Sequence, residues 1–333
     1  MKSLIGLLVI FLTACSQTSE IPEGGSDIHG ALHRIEHNGN TVYLFGTMHV
    51  ADREAWFPLA DVVEKALRRA DVVGLEVDLT WRSYSDRERM AIQNFLEEGV
   101  LLEDGQTLES FLAVETYENL RQQLPTFGID YADVYRLNPV ALRMMATVQL
   151  TQEILAEQGA LAEGLGVDGY IMQFAMQQGI PILGLEPMMQ HVRIGFVPDE
   201  AILASAGFSY SAEDIMQAAL VDLPSRQEML AQMAGDLSLP SYYYSNDLEE
   251  INALFQVSSE EMENPFARYF VDVLMNYRSI YYANEIVRLL AESENTTFFI
   301  AVGLSHIMRE GPYLTNIVEQ LAEQGIQAVP MFE

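Results

Sequence analysis

The chain has 333 residues, 49% of them hydrophobic, enough for a large core and at the upper end for one domain. Its formal charge of −30, from 18 basic and 48 acidic residues, excludes nucleic acid as a partner, because phosphate backbones require clustered Lys and Arg and no such cluster occurs. The same charge repels anionic membrane surfaces, so a basic face cannot supply membrane attachment.

Lys2 followed by the apolar run Leu4 to Leu12 suits an export signal and is too short to span a bilayer, which needs roughly 20 apolar residues. Leu12-Thr13-Ala14-Cys15 resembles the bacterial lipobox, so residues 1–14 are expected to be removed and Cys15 to carry lipid. Cys15 is the single cysteine, which leaves no disulfide within the chain. Residues 15–28, rich in Ser, Glu, Gly and Pro, read as a flexible tether, and residues 29–333 as one α/β domain.

Ala31 to Glu36 alternates as a strand does, and Asn38-Gly39-Asn40 signals a hairpin into Thr41-Val42-Tyr43-Leu44-Phe45-Gly46-Thr47-Met48-His49. His29, His33 and His37 share a strand face spread over about 13 Å, too far for one ion, so they read as a solvated face. The spacing predicts a helix over 57–70, then a buried strand, Asp71 to Asp78, carrying Glu76 near its end. Strand, helix, strand with short connections implies parallel pairing. Residues 82–158 are helical in pattern, with a long helix opening at Asn138-Pro139. Gly166-Val167-Asp168-Gly169 precedes another helix, which Asp168 is expected to cap, and Ile180 to Glu186 gives a strand ending in a carboxylate. His191 reads as a structural or exposed residue. Residues 195–262, with Tyr242-Tyr243-Tyr244, lack strand signals and form a candidate helical cap. A long amphipathic helix over 266–290 carries Arg278. The run Thr297 to Val302 then repeats the earlier pattern as Gly303-Leu304-Ser305-His306, and a last helix over 312–324 leads to an edge strand, Gln327 to Pro330.

The expected fold is therefore α/β, with a mixed, mostly parallel sheet flanked by helices, an N-terminal β-hairpin and a helical cap. In an open parallel sheet, ligands bind beyond the carboxyl ends of the strands. His49, Glu76, Glu186 and His306 would meet there. Two imidazoles with one or two carboxylates suit a divalent transition metal such as Mn, Co or Zn better than calcium, which takes oxygen ligands. A metal-free alternative uses His49 as general base oriented by Glu76, with Arg278 or backbone amides holding a developing oxyanion.

These pieces together resemble the TraB/GumN family, related to the Tiki proteases and more distantly to erythromycin esterases. The resemblance runs from about residue 29 to 331, through the hairpin into His49, Ala70 to Glu76, Gly166-Val167-Asp168, Gly184-Leu185-Glu186-Pro187, Arg278 and Val302 to His306. It implies an active site with two Gly-x-x-His motifs and a glutamate, matched here by His49, His306 and Glu76, with Glu186 and Arg278 beside them. For the Tiki branch it implies a metal-dependent peptidase. The chain departs from the family at Arg278-Ser279, where Arg-Asn is frequent, and at Pro187, where a small residue is common. The leading expectation is a lipid-anchored, extracytoplasmic, metal-dependent hydrolase of peptide or small-molecule substrates. The alternatives are an esterase-like hydrolase using His49 and a non-catalytic lipoprotein that binds a peptide or other ligand.

Overall fold

The computed structural model describes residues 31–47, 59–157, 166–221, 223–228, 257–307 and 311–331. The signal, Cys15, the tether, His29, His49 and Tyr242-Tyr243-Tyr244 lie outside the described residues. A six-stranded sheet organises the molecule: β1 (Leu32–His37), β2 (Asn40–Thr47), β3 (Val72–Leu75), β4 (Ile182–Gly184), β5 (Thr297–Gly303) and β6 (Ala328–Pro330), in the order β4-β3-β5-β2-β1-β6. The first four in that order run parallel, and β1 pairs antiparallel with both β2 and β6. Pro330 sits on the outermost strand, where its missing N–H costs no ladder bond. The expected mixed, mostly parallel sheet with an N-terminal hairpin is present.

Local chemistry explains the turns. Asn38 and Gly39 both take positive φ (50° and 81°), the conformation a tight two-residue hairpin demands, with His37 opposite Asn40. β2 and β5 are buried along nearly their whole length, as central parallel strands must be when helices cover both faces. Their rings meet across the ladder, with Phe45 and Phe299 centroids 5.8 Å apart. One strand residue departs from expectation. His33 is buried, 7% exposed, and loss of solvation lowers its imidazole to about 4, so it belongs to the interior and not to a wet strand face.

The crossover from β2 to β3 contains α1 (Asp61–Arg68), which turns Val63, Ala66 and Leu67 onto the sheet. The long helix α2 (Pro139–Glu157) opens as expected: Asn138 Oδ1 accepts from the Ala141 N–H at 2.9 Å, and Pro139 has no N–H to leave unsatisfied. With neighbouring short helices α2 forms two further apolar clusters, one around Phe127 and Leu142 and one around Val140 and Tyr269. α3 (Val167–Gln178) packs against the sheet and ends at Gly179 in the left-handed region, while α4 (Met188–Phe196) starts just after β4. α5 (Arg278–Glu292) continues a π-helical stretch, Phe270–Tyr277, and α6 (Ile317–Glu323) closes the chain onto β6. Among the described residues no helix is long and apolar enough to cross a membrane.

Candidate active site

The two Gly-x-x-His strands finish side by side. β2 and β5 are neighbours, with Thr47 opposite Gly303 and Gly46 opposite Val302, so both motifs leave the sheet at its carboxyl end. His306 follows in a single 3₁₀ turn, Leu304–His306, and is buried at 2% exposure. β3 and β4 stop at the same end. Close approach of their backbones depends on Gly184, where an added Cβ would lie 2.7 Å from the Asp78 amide nitrogen. Backbone bonds then lock the two carboxylate-bearing segments together, Leu185 N–H to Leu75 O at 2.8 Å and Glu186 N–H to Glu76 O at 2.9 Å.

Glu76 spans the end of the sheet. Its Oε1 accepts from the Gly303 N–H at 2.7 Å and its Oε2 from Arg278 Nη2 at 2.7 Å. Arg278 reaches this point because the π-helical stretch before it widens the turn and resets which face the following residues present. Arg278, Ser279 and Tyr282 therefore all point inward, and each is buried. The guanidinium also donates to Glu186 Oε1, from Nε at 3.0 Å and from Nη2 at 2.6 Å, and contacts the Tyr282 hydroxyl. Its Nε and Nη2 are thus engaged by protein side chains. Tyr282 OH donates to Glu186 Oε1 at 2.7 Å, and burial pushes its phenol well above the usual range.

Glu186 is the most heavily compensated group. Burial alone would raise its carboxyl, but Arg278 and the hydrogen bond from His191 outweigh that and hold it at about 2. His191, on the first turn of α4, brings Nδ1 to 2.8 Å from Glu186 Oε1 while its side chain stays 35% exposed. The sequence read it as structural or exposed; it is partly exposed and bonded to Glu186. Its signal lay in the chain itself: a carboxylate ending a strand, Pro187 forcing the turn, and an imidazole one helical turn on. Asp168 differs from expectation. It lies in the first turn of α3 without capping it, and accepts a hydrogen bond from Thr47 Oγ1 at the end of β2.

Glu76, Glu186 and His191 each offer a ligand atom within 4.8 Å of one another, the spacing of a shared cation. Arg278 Nη2 lies 2.7, 2.6 and 3.1 Å from those same three side chains, so a positive charge is already built in there. A metal fits better on the other side of Glu76. His306 Nε2 stands 3.9 Å from Glu76 Oε1, within the separation of roughly 3–4 Å that two ligands of one ion adopt when each bond is about 2 Å. Its other nitrogen, Nδ1, lies 2.9 Å from Ser279 Oγ, and the Tyr282 ring meets the imidazole edge to face at 5.2 Å. The donor set at this end, imidazole nitrogen with carboxylate oxygen, matches the chemistry of a divalent transition ion.

No curated protein and no solved structure matches the chain. One family model does, the TraB/PrgY/gumN family, over residues 31–330, from the first strand of the sheet to its last. With the paired Gly-x-x-His strands and both Gly-Leu-Glu strand ends inside that span, this chain belongs to the TraB/PrgY/gumN family.

Proposed function

We propose that the protein is a lipid-anchored, extracytoplasmic hydrolase that uses a divalent transition metal, with peptides as its substrate class. The observation that carries this reading is the His306 Nε2 to Glu76 Oε1 separation of 3.9 Å, at the sheet end where both Gly-x-x-His strands finish. His306 and Glu76, joined by His49 from the neighbouring strand's motif, would hold the ion. Such an ion supplies Lewis acidity toward a carbonyl and a nucleophilic water near neutral pH. The protein's own groups supply the rest. The Gly303 N–H and Arg278 fix the Glu76 carboxylate from both sides, so it is oriented before substrate arrives. His191, held by Glu186 and partly open to solvent, is suited to passing a proton to a leaving amine. The likeness to the Tiki branch supports a peptide bond as the target, and the Cys15 lipobox supports attachment to a membrane outside the cytoplasm.

Metal analysis of the protein lacking residues 1–15, beside His49→Ala and His306→Ala, tests this. The expected result is about one transition ion per chain in the parent, lost in both variants. Hydrolysis of a peptide library with Mn, Co or Zn should disappear in parallel. An ion-free parent after incubation with all three metals would overturn the reading. A second reading, hydrolysis without metal, draws on the Glu186–His191 pair, in which a buried carboxylate orients an imidazole for proton transfer. It predicts activity that survives chelators but not His191→Ala.

A further inference from the structure

We propose that Ser279 is a positioning residue that fixes the tautomer of His306, keeping the proton on Nδ1 so that Nε2 presents a lone pair toward Glu76. Ser279 Oγ lies 2.9 Å from the Met275 carbonyl and 2.9 Å from His306 Nδ1. A hydroxyl has a single proton to give. The Met275 oxygen can only accept, and two oxygens held 2.9 Å apart with no proton between them would repel inside a buried site. The Ser279 proton therefore goes to Met275, and the lone pair left on Oγ faces Nδ1. That nitrogen must then be the protonated one, donating to Ser279. In its neutral form the ring consequently carries its lone pair on Nε2, the atom 3.9 Å from Glu76 Oε1. At that distance the two atoms do not hydrogen-bond each other, and the separation is one that two ligands of a single cation adopt.

The surroundings leave little freedom to undo this. Ser279 is 0% exposed and His306 2% exposed, so water does not substitute for the hydroxyl. The Tyr282 ring, at 75° to the imidazole, restrains the ring plane. Met275, the acceptor, belongs to the π-helical stretch that also aims Arg278 at the two glutamates. One irregular turn thus sets both halves of the site. Its effect on metal affinity rests on His306 being a donor of the proposed metal centre, where a residue that hydrogen-bonds the far nitrogen of a ligating histidine is commonly worth 10–100-fold.

The full chain labelled with ¹⁵N-histidine tests this, with His306 assigned by comparison with His306→Gln and its tautomer read from long-range ¹H–¹⁵N correlations. The same samples are titrated with Mn and Zn. In the parent, His306 should show a protonated Nδ1 and an unprotonated Nε2. Ser279→Ala and the near-isosteric Ser279→Cys should scramble or reverse that pattern and weaken metal binding by about 10–100-fold. Ser279→Thr, whose hydroxyl can repeat both hydrogen bonds from the same helical position, should restore the pattern and the affinity. A parent ring protonated on Nε2, or a tautomer unchanged in both Ala and Cys variants, would overturn the assignment. A pattern that shifts as described in a protein that binds no metal would support the role of Ser279 while sinking the metal reading, so the two failures are separable.

Discussion

Two arginines on α5 make nearly the same contacts and do different things. Arg278 is held by Glu76 and Glu186 with its side chain 9% exposed, and Arg288, farther along the helix, is held by Glu285 and Glu292 with its side chain 50% exposed. Arg288 pairs with residues three and four positions away, which an isolated helix would already bring together. The partners of Arg278 lie 202 and 92 residues away. One pair of bridges decorates a helix. The other joins three segments of the chain at the one place where their strands end, and it exists only in the folded protein.

The difference can be broken most forcefully at Arg278. Arg278→Met leaves two buried carboxylates without their cation and should cost about 3–5 kcal/mol in urea unfolding, or prevent folding. Adding Glu76→Gln and Glu186→Gln to that variant should recover much of the loss. If the triple variant is no more stable than the single one, the charge account of the centre fails.

A smaller effect sharpens the contrast through pH. Burial opposes ionisation of Glu186, yet Arg278 and His191 prevail and its carboxyl falls from the ordinary 4.5 to about 2. A depressed carboxyl contributes stability that is complete above its unfolded value and disappears as the pH falls through its folded value. Stability should therefore decline from about pH 4.5 down to about pH 2, and Glu186→Gln should flatten that part of the profile. An identical acid slope in the variant would remove Glu186 as the cause.

The smallest effect is expected at Arg288. Arg288→Ala should change stability by less than about 1 kcal/mol, because its charges are solvated and screened. That difference should vanish in 1 M salt, where the screening length is about 3 Å, whereas the penalty of Arg278→Met should persist. A salt-independent loss at Arg288 would mean that the two arginines are more alike than their burial implies.

How much of this was legible beforehand follows the same division. Patterns local in sequence were readable: the Asn38-Gly39 hairpin, the strands that run to Thr47, just past Gly46, and to Gly303, and the Pro139 helix start all formed within a residue of where the sequence indicated. So was the convergence of Glu76, Glu186 and His306, because parallel strands share one carboxyl end. The internal wiring was not. A period of 3.6 residues across 266–290 hides the π-helical stretch, and without it the inward phase of Ser279 and Tyr282 cannot be deduced. Arg278 was recognised as a site residue, but its turn toward protein carboxylates depends on that same phase. His191 was discounted because an imidazole on a helix is ordinary until its neighbour is known to be a buried carboxylate. His33 looked like one of a row of solvated histidines, since nothing nearby in sequence announces that it is covered.

The order of the strands carries a consequence in time. β5 lies between β3 and β2 in the sheet, yet it is made more than two hundred residues after either. A chain emerging from its N-terminus holds β1 to β4 with the central place unfilled until residues 297–303 are available. The Gly303 N–H that orients Glu76 and the His306 imidazole both arrive with that strand. A chain that stops before residue 297 therefore lacks the His306–Glu76 end of the candidate site, whatever else of it has formed.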